Sequence, residues 1–162
     1  MEYKTINRNE ILIMGKKIVT STYGGKNFSD IPKFWNTILS DGTIGIIHNN
    51  SNIVNHNEYG VCRMLDNHGL EYFVGVEVDS ILENGLEYMT IPEATYLVFR
   101  TKPIEPALFS KEIQDTTIKI YREFLPKSNY KYANGKLDFE LYDSESNKEL
   151  RCMSIYVPVE KK

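Results

Sequence analysis

The sequence contains no long apolar run. No stretch of its 162 residues approaches the roughly 18 consecutive apolar residues that a membrane-spanning helix needs. The polar run EYKTINRNE that follows Met1 has no apolar core of a secretion signal, which is about 7 to 15 residues long. We therefore expect a soluble, cytoplasmic protein without a membrane partner.

Positive charge is also scarce. The chain has 19 Lys and Arg against 22 Asp and Glu, a formal net charge of -3 at pH 7. A protein whose main task is to neutralise nucleic-acid phosphates needs a positive field, so direct nucleic-acid binding is not expected. The 41% of hydrophobic residues is enough to bury the core of one domain over residues 1–162.

Signatures of metal, phosphate and nucleophile chemistry are missing. His48, His56 and His68 are not spaced like metal ligands, and they are predicted to be separate, solvated residues of a loop and a turn. Cys62 and Cys152 lie in apolar, strand-like runs and read as buried thiols. The run YGGK is too short for a phosphate-binding loop, and no GxSxG motif occurs. No metal and no cofactor are expected.

Tyrosine, by contrast, is abundant, with 11 residues. A tyrosine combines a large apolar ring with a hydroxyl group that needs a hydrogen-bond partner when it is buried. Residues of this kind suit the wall of a partly hydrated pocket, so the tyrosines are the first candidates for a ligand site.

One order of elements occurs twice along the chain. In the first half, residues 10–22 predict a strand, and FSDIPKFWNTILSDG predicts a helix with Ser29 or Asp30 as cap and Pro32 in its first turn. Residues 43–57 are polar and read as a loop. The runs YGVCRML and LEYFVGVEV then predict two strands, joined by the turn DNHG.

The second half repeats this order. ATYLVFRT predicts a strand, and FSKEIQDTTIKIYREFL predicts a helix with Ser110 as cap and Pro126 as its stop. LDFELYD and RCMSIYVPV predict the last two strands. We expect an α+β fold of two tandem, pseudo-twofold βαββ repeats, about 1–80 and 86–160, with antiparallel sheets and two main helices over a central ligand groove.

The strand KLDFELYD carries the most informative acidic residue. Its alternation puts Glu140 and Tyr142 on one face and Phe139 and Leu141 on the other. This pattern leaves open whether Glu140 faces solvent or a pocket, since most strand glutamates are solvated. Counting back 19 residues from Val159 reaches Glu140, and the same count in the first repeat reaches Tyr59, which predicts that these two positions are equivalent.

Seven segments resemble the GyrI-like, or effector-binding, family, and the likeness runs from about residue 10 to residue 159. They are, in order, IPKFWNTILSDG, YGVCRML, LEYFVGVEVD, GLEYMTIPEATYLVF, IYREFLPKSNY, DFELYD and MSIYVPV. Domains of this family also occur behind DNA-binding helices in multidrug-responsive bacterial transcription activators. Because the first strand is predicted to begin by about residue 10, we expect a stand-alone member. Phe124 stands where many relatives have Trp, and Asn129 stands where many have Gly. We therefore expect the groove to differ in shape from the grooves of those relatives.

The resemblance implies a groove for bulky, aromatic and cationic small molecules. A strand glutamate of the family, which matches Glu140, lies in that groove among aromatic side chains. A partly desolvated carboxylate ringed by aromatics attracts cations strongly. The expected ligand-binding residues are Glu140, Tyr142, Tyr72, Trp35, Tyr96, Tyr59, Tyr121 and Phe124. Ordinary core packing stays the alternative for each aromatic residue.

The resemblance, together with these residues, implies three possible functions. The favoured one is a binding module that senses or sequesters a hydrophobic or cationic small molecule. The alternative is a hydrolase of strained, electrophilic ring compounds, with Glu140 as general base and a hydroxyl of Tyr72 or Tyr142 beside it. A weaker alternative is binding to a protein partner in the manner of a gyrase inhibitor. Binding is favoured because no positioned nucleophile is present, and a monomer is expected because the repeats already form a pseudo-dimer.

Overall fold

Nine strands and four α-helices form an α+β fold, as predicted. A computed structural model describes all of residues 1–162. The strands are β1 Lys4–Arg8, β2 Ile11–Ser21, β3 Ile53–Met64, β4 Gly69–Val78, β5 Glu87–Ile91, β6 Ala94–Arg100, β7 Tyr130–Tyr132, β8 Phe139–Tyr142 and β9 Ser154–Lys161. The helices are α1 Lys26–Ser40, α2 Thr43–His48, α3 Phe109–Lys119 and α4 Leu125–Lys127, with a π-helical turn, Ile120–Phe124, between the last two. No helix has the length and apolar character that crossing a membrane requires.

The first of two compact units comprises Ile11–Ile91. Its strands pair in the order β3, β4, β2, β5, and every pair is antiparallel. The β3–β4 hairpin is confirmed, and its turn residues Asn67 and His68 have φ of 55° and 61°, the left-handed region that such turns need. Helix α1 packs on one face of this sheet, where Ile38 joins Tyr72 and Val74 of β4 in a buried cluster.

The second unit comprises Met1–Glu10 and Pro92–Lys162. Its strands pair in the order β1, β6, β9, β8, and β7 also pairs with β9. Helix α3 and the π-helical turn pack on one face, where Ile120 joins Phe99 and Ile155 in the core. The predicted strand, helix, strand, strand order occurs within each unit, whereas the repeat limits of about 1–80 and 86–160 stay a prediction.

Short strands at the margins of the sheets were missed. Strand β1 lies in the polar run before residue 10 and pairs with β6, so the chain has one strand before the strand predicted at residues 10–22. The pattern also missed β5 and the three-residue β7. All residues of β1 are exposed or only partly buried. The strand therefore has no alternation of apolar and polar residues from which it could be predicted.

The predicted start of α1 was wrong. The helix begins at Lys26, so the expected caps Ser29 and Asp30 lie inside it, and Pro32 lies beyond its first turn. The Asp30 carboxylate instead accepts hydrogen bonds from the Thr20 hydroxyl of β2, at 2.5 Å, and from Lys26 Nζ, at 2.6 Å. Both bonds lower the pKa of Asp30, and the bond from Lys26 lowers it more than the bond from Thr20. Asp30 therefore ties the helix to β2 rather than capping it.

Two other boundaries differ from the prediction. Residues 43–57 are not a loop, because they contain α2 and the start of β3. Helix α3 begins at Phe109, so Ser110 is not its cap, and the helical path runs past Pro126 to Lys127. Pro126, which has no N–H to donate, follows the π-helical turn as the second residue of α4.

Two glycines bring the backbones of β2 and β4 into close approach. Gly15 and Gly75 are directly opposite each other in the antiparallel pair. A Cβ atom on Gly15 would collide with the carbonyl oxygen of Val74 and lie 2.6 Å from the Gly75 Cα. A Cβ on Gly75 would collide with the carbonyl oxygen of Met14. Only glycine fits at either position without a shift of the backbone.

We predict that Gly15→Ala lowers the free energy of unfolding by about 3 kcal/mol, because the two strands must separate to admit the methyl group. The matched control is Gly45→Ala, since Gly45 lies in α2, where an added methyl group would meet only open space. There the change should stabilise by at most about 1 kcal/mol. Urea unfolding measures both. Equal stabilities of the two variants would contradict the close approach.

Candidate functional site

Glu140 lies on the face of its sheet that α3 covers. In an antiparallel pair, directly opposite residues point to the same face. Glu140 is opposite Ile155, which is in turn opposite Phe99. Both of these residues belong to the core cluster that packs against α3. The Glu140 side chain is accordingly only partly exposed.

Tyr142 accompanies Glu140 on this face. Its hydroxyl group donates a hydrogen bond to Glu140 Oε2 at 2.8 Å. The Tyr142 ring packs against the same core and meets the Phe109 ring edge-on, with centroids 6.3 Å apart. The structure therefore joins two of the residues singled out from the sequence, a carboxylate and the phenol that holds it in place.

A second carboxylate, Asp138, was missed. The Tyr121 hydroxyl donates to Asp138 Oδ2 at 3.0 Å, and the Tyr132 hydroxyl donates to its Oδ1 at 3.3 Å. Desolvation raises the pKa of Asp138 above the ordinary aspartate value, although both tyrosine bonds act to lower it. Tyr121 belongs to the π-helical turn, a type of irregularity that is frequent at functional sites. Extending the Glu140 alternation by two residues would have pointed to this position.

Trp35 and Tyr72 form a pair in the other unit. Trp35 Nε1–H of α1 donates a hydrogen bond to the Tyr72 hydroxyl of β4 at 2.9 Å. Tyr72 is fully buried, and Trp35 packs against the same cluster. The sequence predicted both residues for the site without predicting their contact, because the facing of a helix residue across a sheet depends on tertiary packing.

Tyr59 points away from α1. It is opposite Gly75, whereas the α1 face carries the neighbouring residue Val74. Its hydroxyl donates to Glu77 Oε2 at 3.0 Å. The predicted equivalence of Tyr59 and Glu140 is therefore wrong, since Glu140 points toward the helix of its unit. Counting along the chain failed because a tight turn joins β3 to β4, whereas a 3-10 helix interrupts the β8–β9 connection.

Tyr96 also lies on a different face from Glu140. It precedes Leu97, which belongs to the core packed on α3, so Tyr96 points to the opposite side of β6. There its ring lies edge-on to Phe139 at 5.2 Å, and its hydroxyl donates to the Leu137 carbonyl at 3.2 Å. Burial raises the pKa of Tyr96 to about 12. Tyr96 therefore does not lie on the face of the sheet that carries Glu140.

Phe124 lies beside a surface cleft of the second unit. Its ring is edge-on to the rings of Phe99 and Tyr3, with centroids 5.2 Å apart in each case. The cleft has a volume of about 390 Å³ and is lined by Met1, Lys119, Glu123, Phe124, Lys127 and Ser128. Phe124 thus has both a packing role and access to open space.

The histidine prediction was right for His68, which is exposed in the β3–β4 turn, and wrong for His48 and His56, which lie in α2 and β3. His48 is the last residue of α2, and its ring contacts both His56 and Glu58. No group of three or more His, Cys, Asp or Glu side chains is placed to hold a metal ion together. Cys152 is buried, as predicted, and Cys62 is partly buried.

Most of the chain matches the model of a known protein family. The fold is an α+β domain with antiparallel sheets and two main helices. The family of Cass2, described as integron-associated effector binding protein, matches residues 6–159. The chain belongs to this family, and the resemblance to GyrI-like effector-binding domains is confirmed. Comparison with curated proteins finds no match.

Three solved structures share the fold. SAV2435, solved bound to tetraphenylphosphonium, is 20% identical, with a TM-score of 0.82 over 99% of this chain and 94% of that one. An integron cassette protein from the mobile metagenome of Vibrio cholerae is 13% identical, with a TM-score of 0.62 over 98% and 95%. EcmrR, in its complex with DNA, is 15% identical, with a TM-score of 0.60 over 99% of this chain and 58% of that one.

From the raised pKa of Asp138 we predict how the stability of the protein changes with pH. The folded protein binds this proton more tightly than the unfolded chain, so the contribution of Asp138 to stability falls as pH rises from about 4 through its folded pKa. Asp138→Asn should remove this fall, and the variant should gain on the wild type as pH increases. Urea unfolding at a series of pH values measures it, with Asp66→Asn in the exposed hairpin turn as control. Parallel pH profiles of Asp138→Asn and wild type would contradict the assignment.

Proposed function

We propose that this effector-binding domain takes bulky cationic or aromatic small molecules and that Glu140 recognises their positive charge. The observation that carries the proposal is the partly buried Glu140 carboxylate, held by the Tyr142 hydroxyl on the face of the sheet that α3 covers. Family membership supports a small-molecule ligand. The charge preference rests on this carboxylate.

The environment of Glu140 favours cation binding for two physical reasons. A charge pair that is partly shielded from water interacts more strongly than one in bulk solvent, because the local dielectric is lower. Aromatic rings beside the carboxylate add cation–π attraction of about 0.5 to 2 kcal/mol. The hydrogen bond from Tyr142 also fixes the orientation of the carboxylate before a ligand arrives, which reduces the entropic cost of binding.

The related structures support the ligand class. SAV2435 was solved with tetraphenylphosphonium, a bulky aromatic cation, and this compound is a natural first probe for the present chain. The likeness to EcmrR, solved on DNA, supports a sensing role in transcription regulation. Such an output would pass through a partner, because direct nucleic-acid binding is not expected. Monomeric state and cytoplasmic location stay predictions, as does protein binding in the manner of a gyrase inhibitor.

We predict that Glu140→Gln weakens tetraphenylphosphonium binding by at least about tenfold, or 1.4 kcal/mol. Affinity for triphenylphosphine oxide, a neutral molecule of related shape, should change by less than about twofold, because glutamine keeps the size of the side chain. Isothermal titration calorimetry measures both. Glu83→Gln, an identical charge change at an exposed position, should leave both affinities unaltered. Equal weakening of the two ligands would rule out charge recognition by Glu140.

The Glu140–Tyr142 hydrogen bond also keeps the hydrolase alternative testable. A carboxylate beside a phenol has the parts for activating water and stabilising a leaving group. If the protein opens cyclopropane-bearing electrophiles, turnover should fall by about 100-fold in Glu140→Gln, the usual scale for loss of a general base. Tyr142→Phe should lower turnover less. Turnover that survives in Glu140→Gln would remove this residue from any such mechanism.

A further inference from the structure

Three polar side chains meet where α2 ends and β3 passes beside it. His48 Nδ1 lies 2.9 Å from His56 Nδ1, and His48 Nε2 lies 2.9 Å from Glu58 Oε1. All three residues belong to the unit Ile11–Ile91. Glu140 belongs to the other unit, and the proposed binding of organic cations does not use this cluster.

An irregularity in β3 brings these side chains together. The register against β4 shifts between Ile53 and Glu58, and such bulges redirect the side chains of a strand. Within this stretch, the Asn55 side chain accepts a hydrogen bond from the Asn57 backbone N–H at 3.0 Å, which stabilises a local turn. His56 and Glu58 can therefore both reach the ring at the end of α2.

The carboxylate determines how the two rings share a proton. An ionised carboxylate only accepts hydrogen bonds, so His48 donates to Glu58 from Nε2. In a neutral His48 ring, Nδ1 is then an acceptor, and it receives its hydrogen bond from His56 Nδ1–H. A single proton thus lies between two nitrogens that are both able to act as metal ligands.

We propose that His48 and His56 bind a divalent late transition-metal ion through their Nδ1 atoms, with Glu58 orienting His48. Imidazole is a preferred ligand for copper, nickel and zinc. Histidines that bind metals commonly donate their other ring N–H to a carboxylate, as His48 does to Glu58. On binding, the proton at His56 Nδ1 moves through solvent to His56 Nε2, so a neutral ring releases no net proton.

The spacing of the two nitrogens is compatible with cis coordination of one ion once the His56 ring turns. Two nitrogens at cis positions of a square or octahedral ion, each about 2.0–2.1 Å from it, are about 2.9 Å apart. This is the observed His48–His56 separation. His56 is exposed and its ring can turn toward the ion, whereas His48 is 25% exposed and held by Glu58. The site supplies two protein ligands and leaves the other positions to water, so we expect Cu²⁺ to bind more tightly than Ni²⁺, and Zn²⁺ more weakly than Cu²⁺.

Calorimetry with NiCl₂ and electron paramagnetic resonance with CuCl₂ test the site. The wild type should bind one ion per chain, and the Cu²⁺ spectrum should show hyperfine coupling to two imidazole nitrogens. His56→Asn should weaken Ni²⁺ binding by at least about tenfold and remove one nitrogen coupling. His68→Asn is the matched control, because His68 lies in the β3–β4 turn at φ 61°, which asparagine tolerates. It should bind as the wild type does.

Glu58→Gln tests the orienting role, with an expected loss of about tenfold in Ni²⁺ affinity. Urea midpoints of all variants establish that the proteins remain folded under the titration conditions. No ion bound by the wild type, the same affinity in His56→Asn as in the wild type, or coupling to a single nitrogen in the wild type would each overturn the proposal.

Discussion

The register of β8 against β9 is the constraint on which the candidate site depends. Only three residue pairs define it, with Glu140 in the middle pair. A slip of one residue would move Glu140 from the face under α3 to the opposite face. That opposite face fixes the register, because Phe139 stacks on its direct partner Tyr156 with ring centroids 4.4 Å apart. The Arg8 guanidinium lies 5.7 Å from one ring centroid and 5.8 Å from the other. The stacking of Phe139 on Tyr156 on one face of the sheet thus positions the Glu140 carboxylate on the other face.

An ion pair between Arg100 and Asp143 holds the C-terminal end of β8 in place. Both terminal nitrogens of Arg100 donate to the Asp143 carboxylate, at 2.7 and 3.0 Å. Partial burial alone would raise the pKa of Asp143, but the Arg100 guanidinium and a backbone bond from Glu145 lower it. Asp143 also caps the short helix that follows, in a reciprocal arrangement with Ser146. A four-residue strand that would be marginal alone is therefore anchored at both ends, and the Glu140–Tyr142 pair it carries has a defined position.

Long apolar patterns predicted the fold well, whereas short and polar features escaped them. The apolar periodicity of α1 and the alternation of β4 are dictated by burial of one face and can be recognised in the sequence. The position of Asp30 toward β2 and the meeting of His48 with His56 depend on contacts between elements that no local pattern encodes. Alternation also states which side chains share a face, but not which face is covered. For Glu140, the resemblance to known domains supplied the expectation of a groove, and the pairing with Ile155 placed it on the α3 face.

The central claim is that the carboxylate of Glu140 recognises a bound cation. A crystal structure of the protein with tetraphenylphosphonium tests it most directly, because the position of the phosphorus atom can be measured against both residues of the pair. We expect a cation beside the Glu140 carboxylate, with its phosphorus within about 6 Å of the Tyr142 ring centroid. A cation that binds out of contact with Glu140, while the Glu140–Tyr142 hydrogen bond stays as it is in the unliganded protein, would contradict the account.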